Sequence, residues 1–317
     1  MNKRTNKPSF ISNIKKYKYA YLLILPALVA VFLFSYIPYG GIVLAFKEFK
    51  IDNLVLYDNP WIGIWKCDWV GFDIFIKIFS DPDMLLAVKN TLVYGCVLVF
   101  FSFPFPILLA LMYDELRQKR FKKITQTIMY MPHFLSWISV VGLFYVFFST
   151  EGTLNMWLAD VIPNFEKKNI LLDADNFLPI LFWSGIWKNI GWNSVLYLAA
   201  IAGVDQGLYE AAKIDGCGRL RQIWHVTLPG IRNTVVISLI MGLGGLVTVN
   251  FEQVFGFQNT FIQEQTEIIG TVVYRQGIQN GQYSLATAFG IAQGLVTMAL
   301  VLSANAISKK LMKISIW

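Results

Sequence analysis

One segment of the chain, residues 205–233, combines carboxylates, small side chains and turn residues in a pattern that suits docking to a partner rather than catalysis. Its start favours a helix, Gly216 and Gly218 permit a sharp turn, and residues 219–226 can form a second short helix. The alanines leave the helix backbone accessible, and the acidic side chains offer carboxylates to a partner. The residues that carry this pattern are Glu210, Ala211, Ala212, Asp215, Gly216, Arg219, Leu228 and Pro229. We expect a helix–turn–helix that transmits force as a rigid lever.

Motifs for catalysis are absent from the sequence. No stretch matches G-x-x-x-x-G-K-[ST], H-E-x-x-H or G-x-S-x-G, which excludes a P-loop for a nucleoside triphosphate, a zinc-protease helix and a serine-hydrolase elbow. The three cysteines have no metal-ligand spacing. We therefore expect that this chain is not an enzyme and binds no metal or cofactor of its own.

The elements that position segment 205–233 are membrane helices. Of the 317 residues, 56% are hydrophobic and only 15% are charged, whereas soluble domains carry about 25% charged residues. A helix needs about 20 mostly apolar residues to cross the hydrocarbon of a bilayer. The stretches that meet this requirement are 21–46, 91–113, 128–148, 177–204, 235–257 and 285–307. The sequence predicts an all-α polytopic membrane protein with six transmembrane helices.

The charges predict how these helices are oriented. If the N-terminus is inside, 18 of the 27 Lys and Arg residues but only 5 of the 20 Asp and Glu residues fall on the inner side. Because basic loops stay in the cytoplasm, both termini are predicted to be cytoplasmic, and so is segment 205–233. The net charge of +7 is shared among four separate segments, so it reports orientation and excludes a nucleic-acid surface. We expect a cytoplasmic basic tail over 1–20 and a transmembrane domain over 21–317.

Segment 205–233 resembles the EAA loop of ATP-binding-cassette import permeases. The motif is E-A-A, a Gly four residues after the second Ala, and a hydrophobic-x-Leu-Pro about ten residues later. The matching residues are Glu210, Ala211, Ala212, Gly216, Val226, Leu228 and Pro229. In that family the loop sits in a groove of the ATPase, with its Glu anchored by a basic group. The resemblance therefore implies an ATPase-coupling role for this segment.

The resemblance covers nearly the whole chain and extends to the LplB-like (polysaccharide and oligosaccharide) permeases of the carbohydrate-uptake class. It implies a type I importer with a MetI-like fold in a bacterial cytoplasmic membrane. The implied partners are a second homologous permease, giving a heterodimer, two ATPase subunits that hold ATP and Mg²⁺, and an extracytoplasmic solute-binding protein. The stretches that carry it are 36–41, 69–72, 90–91, 130–137, 187–192, 197–200, 209–216, 251–253 and 283–288.

The chain is also expected to line part of a route for the solute. Sugars are held by aromatic faces and by amide or carboxylate groups. In the family such groups come from the helices that flank the EAA loop. Here the corresponding residues are Trp187, Asn189, Trp192, Asn193, Asn250 and Glu252.

Two alternatives remain open from the sequence. A permease for a peptide or another solute would keep the mechanism and change the cargo. A membrane scaffold or receptor would use segment 205–233 only to recruit a soluble partner. Each candidate residue also has a structural interpretation: Glu210 as a solvated carboxylate, and Arg219 as a plain cytoplasmic positive charge.

Overall fold

A computed structural model describes residues 16–49 and 60–316; the predicted basic tail lies largely outside them. Within these ranges all regular elements are helical, and Lys47 and Trp69 form an isolated β-bridge. The all-α class is therefore confirmed. In chain order the helices are α1 (Lys18–Phe46), α2 (Pro60–Lys66), α3 (Asp73–Ser80), α4 (Pro82–Asp114), α5 (Lys119–Tyr130), α6 (Trp137–Phe148), α7 (Thr153–Val161), α8 (Phe177–Ala202), α9 (Gln206–Ile214), α10 (Arg219–Gly230), α11 (Arg232–Leu246), α12 (Phe251–Phe257), α13 (Gln263–Thr266), α14 (Ile269–Val272) and α15 (Tyr283–Met312).

Short π and 3-10 segments interrupt or extend these helices. Helix α1 ends in a π turn and a 3-10 stretch, and α4 contains a π turn in its middle. Separate segments follow α5, precede α8 and extend α14. Their bounds are Met131–Phe134, Ile170–Leu172, Ala174–Asn176 and Val273–Gln279.

Four helical stretches of the described chain are long and apolar enough to cross a membrane: α1, α4, the pair α6 and α7, and α15. A fifth is the pair α10 and α11, which bends by 62°. Helix α8 has 26 residues and therefore rises about 39 Å, but Lys188 and several polar side chains lower its hydropathy. The count of six spans stays a prediction.

Two predicted spans are broken in the structure. The stretch 128–148 begins inside α5, passes a turn at Pro132, and restarts as a helix where the Ser136 side chain accepts a hydrogen bond from the Ser139 N–H. The stretch 235–257 ends its first helix at Leu246 and restarts where Asn250 accepts from the Gln253 N–H. A hydropathy profile does not detect either break, because the residues on both sides are apolar. In the structure, a side-chain cap marks the start of each new helix.

Helix α8 is central to the packing of the molecule, since it packs against the end of α4 and against α5. Close approach to α5 depends on Gly191, where a Cβ would lie 2.1 Å from the Met129 carbonyl oxygen. At its C-terminal end an apolar cluster joins α8 to α4 and to the start of α11. Its buried members are Ala110, Leu111, Tyr197, Ile201, Val204 and Ile231.

Lys188 closes the break after α5. Its side chain lies within an apolar helix and is only 6% exposed. Its ammonium donates to the carbonyl oxygens of His133 and Leu135, at 2.6 Å each, and lies 5.5 Å from the centre of the Trp137 ring. A cation favours the carbonyl end of a helix, so Lys188 stabilises the turn that terminates α5.

Candidate functional site: a helix–turn–helix and an intramembrane cavity

The helix–turn–helix predicted for segment 205–233 is formed by α9 and α10. The Asp205 carboxylate caps α9 by accepting from the Gly207 N–H at 2.9 Å. Helix α9 ends in a Schellman motif: the Cys217 N–H donates to the Ala212 carbonyl at 2.8 Å and the Gly216 N–H to the Lys213 carbonyl at 3.1 Å. This motif needs a left-handed residue, which Gly216 provides with φ +77°. The turn is thus defined by local sequence.

The two arms are fixed to each other and to the membrane helices. The hydroxyls of Tyr209 on α9 and Thr227 on α10 are hydrogen-bonded at 2.9 Å, and Thr227 is buried. Gly230 packs closely on Val204, where an added Cβ would lie 2.8 Å from a methyl group. Because α10 is joined in this way to the apolar cluster beneath it, movement of the turn would be transmitted to the membrane helices.

The outer surface of this helix–turn–helix is unusually apolar for an exposed segment. Ile214 is 87% exposed, Leu220 75% and Trp224 68%. Glu210 and Ala211 are also exposed and lie on the same helix as Ile214. Exposed apolar patches are common where proteins contact a partner, so this surface is the candidate docking site. We name Glu210, Ile214, Leu220 and Trp224 the docking face.

The predicted docking residues differ in what they contact. Glu210, Ala211, Asp215, Gly216 and Pro229 are exposed, whereas Ala212 and Leu228 are half-buried. Arg219 instead forms an ion pair with Glu115, just after α4, at 3.1 Å. It therefore contributes to holding α10 against the membrane domain within this chain.

The candidate route residues divide into two groups. Trp192 and Asn193 line a cavity of about 550 Å³ between α4, α8 and α11. Asn189 and Asn193 line an adjoining cavity of about 160 Å³, and Ser102 of α4 belongs to both. The Tyr197 hydroxyl is hydrogen-bonded to Ser238 at 2.8 Å in the wall of the larger cavity. This group offers an indole face, amides and hydroxyls in one place.

The remaining candidates lie elsewhere. Trp187 packs edge-on against Phe144 of α6, with ring centres 6.5 Å apart. The side chain of Asn250 caps α12. Glu252 is exposed and close enough to Lys188 for a coulombic interaction. The structure therefore gives Asn250 a structural role and places Trp187 away from the two cavities.

One residue of this region, His133, was not among the predicted route residues. Its ring stacks on the Trp192 indole, with centres 4.8 Å apart and planes inclined by 1°, and its Nδ1 is hydrogen-bonded to Asn189 Oδ1 at 3.0 Å. The signal in the sequence was the Pro132-His133 pair inside an apolar stretch. Because 56 residues separate His133 from Asn189, only the packing of α5 on α8 shows that they meet.

No metal centre is formed by the part of the chain that the structure describes. Within residues 16–49 and 60–316, no group of three or more His, Cys, Asp or Glu side chains is placed to hold a metal ion. The chemistry available is hydrogen bonding and apolar or aromatic contact. These are interactions for binding and docking.

Comparison with known proteins agrees with this geometry. Residues 102–313 match the family described as binding-protein-dependent transport system inner membrane component. Protein LplB of Bacillus subtilis (strain 168) is 40% identical over 303 residues, which cover 95% of this chain and 92% of LplB. The polygalacturonan/rhamnogalacturonan transport system permease protein YteP of the same organism is 41% identical over 310 residues, covering 97% and 93% of the two chains.

A solved structure shares the whole fold. A chain in the crystal structure of a bacterial alginate ABC transporter, in complex with an alginate pentasaccharide-bound periplasmic protein, is 34% identical to this chain. The two superpose with a TM-score of 0.85, covering 97% of this chain and 99% of the other. The family and fold expected from segment 205–233 are therefore confirmed. The chain is a multi-pass membrane protein and belongs to the binding-protein-dependent transport system inner membrane components.

Proposed function

We propose that this chain is the membrane-spanning permease of an ATP-driven importer for an oligosaccharide or a polysaccharide fragment. The similar proteins support this cargo, because YteP is named for polygalacturonan and rhamnogalacturonan and the matched structure is an alginate transporter. A peptide permease would need different cargo contacts, and a scaffold would not need an open cavity between α4, α8 and α11.

The observation that carries the proposal is the docking face on an anchored helix–turn–helix. In our proposal, α9 and the turn after it sit in a groove of an ATPase subunit, and Glu210 pairs with a basic group there. ATP and Mg²⁺ are bound by that subunit, so hydrolysis is not performed by this chain. Closure of two ATPase subunits moves two such segments and reopens the membrane helices toward a loaded external binding protein.

Photo-crosslinking tests the docking directly. A photoreactive phenylalanine analogue at Leu220, which is 75% exposed, is expected to form a covalent adduct with the ATPase subunit in the assembled transporter. The same analogue at Trp157 of α7, which is 59% exposed and predicted to lie near the outer side, is the matched control. Adducts at Trp157 but not at Leu220 would contradict the proposal.

We further propose that the two adjoining cavities form this chain's part of the solute route, facing a second permease in a heterodimer. Trp192 would supply an aromatic face to a sugar ring, and Asn189 and Asn193 would bind its hydroxyls. Trp192→Ala is expected to raise the KM for uptake about twofold to tenfold, since an aromatic contact contributes about 0.5–1.5 kcal/mol beyond the area that it buries. Trp157→Ala is the control, and an unchanged KM in Trp192→Ala would remove Trp192 from the route.

A further inference from the structure

Helix α5 has a basic side and an apolar side that packing within the chain does not cover. None of its residues is buried. Phe121 is 50% exposed, Ile124 59% and Ile128 58%, and these three share one side with Thr125 and Met129. The opposite side and its two flanks carry Lys119, Arg120, Lys122 and Lys123. This distribution is typical of a helix that lies in the interface of a membrane with anionic lipids.

A largely apolar cavity of about 330 Å³ lies between this apolar side and the inner end of α4. Four side chains of each helix form its walls. They are Leu109, Met112, Tyr113 and Leu116 of α4 with its C-terminal extension, and Phe121, Thr125, Ile128 and Met129 of α5. The cavity is open and its lining is almost entirely apolar, which is the chemistry that an acyl chain needs.

The Tyr113 hydroxyl gives a second indication that a ligand belongs there. Tyr113 is only 4% exposed, and its hydroxyl makes no hydrogen bond among the described residues. Thr125 lies close by, and because its hydroxyl donates to the carbonyls of Phe121 and Lys122, at 2.9 and 3.1 Å, it can meet the Tyr113 hydroxyl only as an acceptor. Burial of a hydroxyl without a partner is unfavourable, so an ester or phosphate oxygen of a ligand would stabilise this site.

The side of the membrane follows from the neighbouring coupling segment. Glu115, directly after α4, is paired with Arg219 of α10, so this cavity and the docking face lie at the same end of the molecule. The assignment of that end to the cytoplasm rests on the proposed function. Two acidic side chains lie nearby, and each has a basic neighbour: Glu115 is paired with Arg219, and Asp114 lies near Lys122.

We propose that this groove binds an anionic phospholipid of the cytoplasmic leaflet. One acyl chain occupies the cavity between α4 and α5, the Tyr113 hydroxyl donates to a glycerol-ester oxygen, and Arg120 and Lys122, on the two flanks of the apolar side of α5, attract the anionic head group. Leu116 in the cavity wall follows Glu115 directly in the sequence, so such a lipid would lie beside the Glu115–Arg219 ion pair. It would therefore support the position of the coupling segment.

Photolabelling of the complete transporter in nanodiscs tests this. A photoreactive phosphatidylglycerol is expected to label peptides within 109–129, and excess unlabelled phosphatidylglycerol but not phosphatidylcholine should compete. Arg120→Gln with Lys122→Gln should reduce this labelling by about fivefold for each charge removed. Lys16→Gln with Lys18→Gln removes the same charge from another basic segment and should leave it unchanged. Thr125→Trp, which fills the cavity, should also reduce it.

Two results would overturn the proposal. If phosphatidylcholine and phosphatidylglycerol probes labelled residues 109–129 equally, the groove would contact bulk lipid without a preference for anionic head groups. Crosslinks from a photoreactive residue at Ile128 to the second permease instead of lipid would show that a protein covers this side of α5. Because labelling does not require transport, a negative result would leave the proposed function untouched.

Discussion

At the scale of single residues, Lys188 shows how a charge inside a membrane helix can be structural. Its ammonium is buried against two carbonyl oxygens and the Trp137 ring, at a break that the chain needs between α5 and α6. Burial of a charge is expensive unless it is hydrogen-bonded in this way. The break also places His133 beside Trp192 and Asn189, so Lys188 positions part of the cavity wall indirectly.

Lys188→Met should therefore destabilise the protein. The methionine side chain fills similar space but leaves the His133 and Leu135 carbonyls without their donor, which costs about 1–3 kcal/mol for a buried acceptor. The melting temperature of the purified transporter measures this loss. Lys89→Met on α4 replaces an exposed lysine and should leave the melting temperature unchanged. Equal melting temperatures for both variants would contradict a capping role for Lys188.

At the scale of elements, the turn of the helix–turn–helix depends on one backbone conformation. Gly216 has φ +77° and nothing would contact a Cβ there, so only the left-handed backbone disfavours a side chain. Gly216→Ala should cost about 1–2 kcal/mol in this turn and lower the ATP-driven uptake rate by loosening the docking face. Gly216→Asn should be milder, because Asn tolerates this conformation.

Gly218 provides the matched control for this prediction. It also has open space around it, but its φ is −67° with ψ 166°, a conformation that any residue adopts. Gly218→Ala should therefore retain the wild-type uptake rate in proteoliposomes. If Gly218→Ala and Gly216→Ala lowered the rate equally, the backbone explanation would be wrong.

Elements that rest on local chemistry were predictable from the sequence. The α9–turn–α10 unit follows from an Asp cap, helix-forming residues and Gly216, all within a few positions of one another. The interruptions of the apolar stretches were not predictable, because they depend on partners far away in the sequence. Gln253, next to the second break, donates to the Leu181 carbonyl at 2.7 Å, and Lys188 reaches back 55 residues to His133.

The candidate functional site was also predictable only where its residues are neighbours in the sequence. Glu210 and Gly216 could be identified because the docking pattern is contiguous in sequence. The cavity wall brings Ser102, Asn193 and Ser238 together from three helices, so composition could suggest the kinds of side chain but not which of them meet. Asn250 was plausible as a ligand by type, yet its side chain is committed to the cap of α12.

At the scale of the whole molecule, the orientation of six spans is a testable prediction. In a variant without its three native cysteines, single cysteines are introduced at Asp83, Lys123, Glu166 and Lys310. A membrane-impermeant maleimide should label positions 83 and 166 in intact cells, because they are predicted to be outside. Positions 123 and 310 should be labelled only after permeabilisation. Labelling of position 310 in intact cells would overturn the even span count.

Large apolar surfaces also indicate that the chain is one part of an assembly. The apolar stretch of α1 is 0% buried within the chain. The docking face, in a distant part of the sequence, is also exposed. Lipid can cover the first, whereas we predict that the docking face extends into the cytoplasm, where lipid cannot cover it. A partner subunit therefore explains the docking face better than an isolated permease does.

The central claim is that this chain converts closure of an ATPase into solute movement through the docking face. Glu210→Arg, reconstituted in proteoliposomes with its partner subunits and a saccharide-loaded binding protein, tests it most directly. Glu166→Arg makes the same change at an exposed position outside the segment. We predict that Glu210→Arg lowers ATP-driven saccharide uptake about tenfold or more with an unchanged melting temperature, while Glu166→Arg retains uptake. Full uptake by Glu210→Arg would contradict the account.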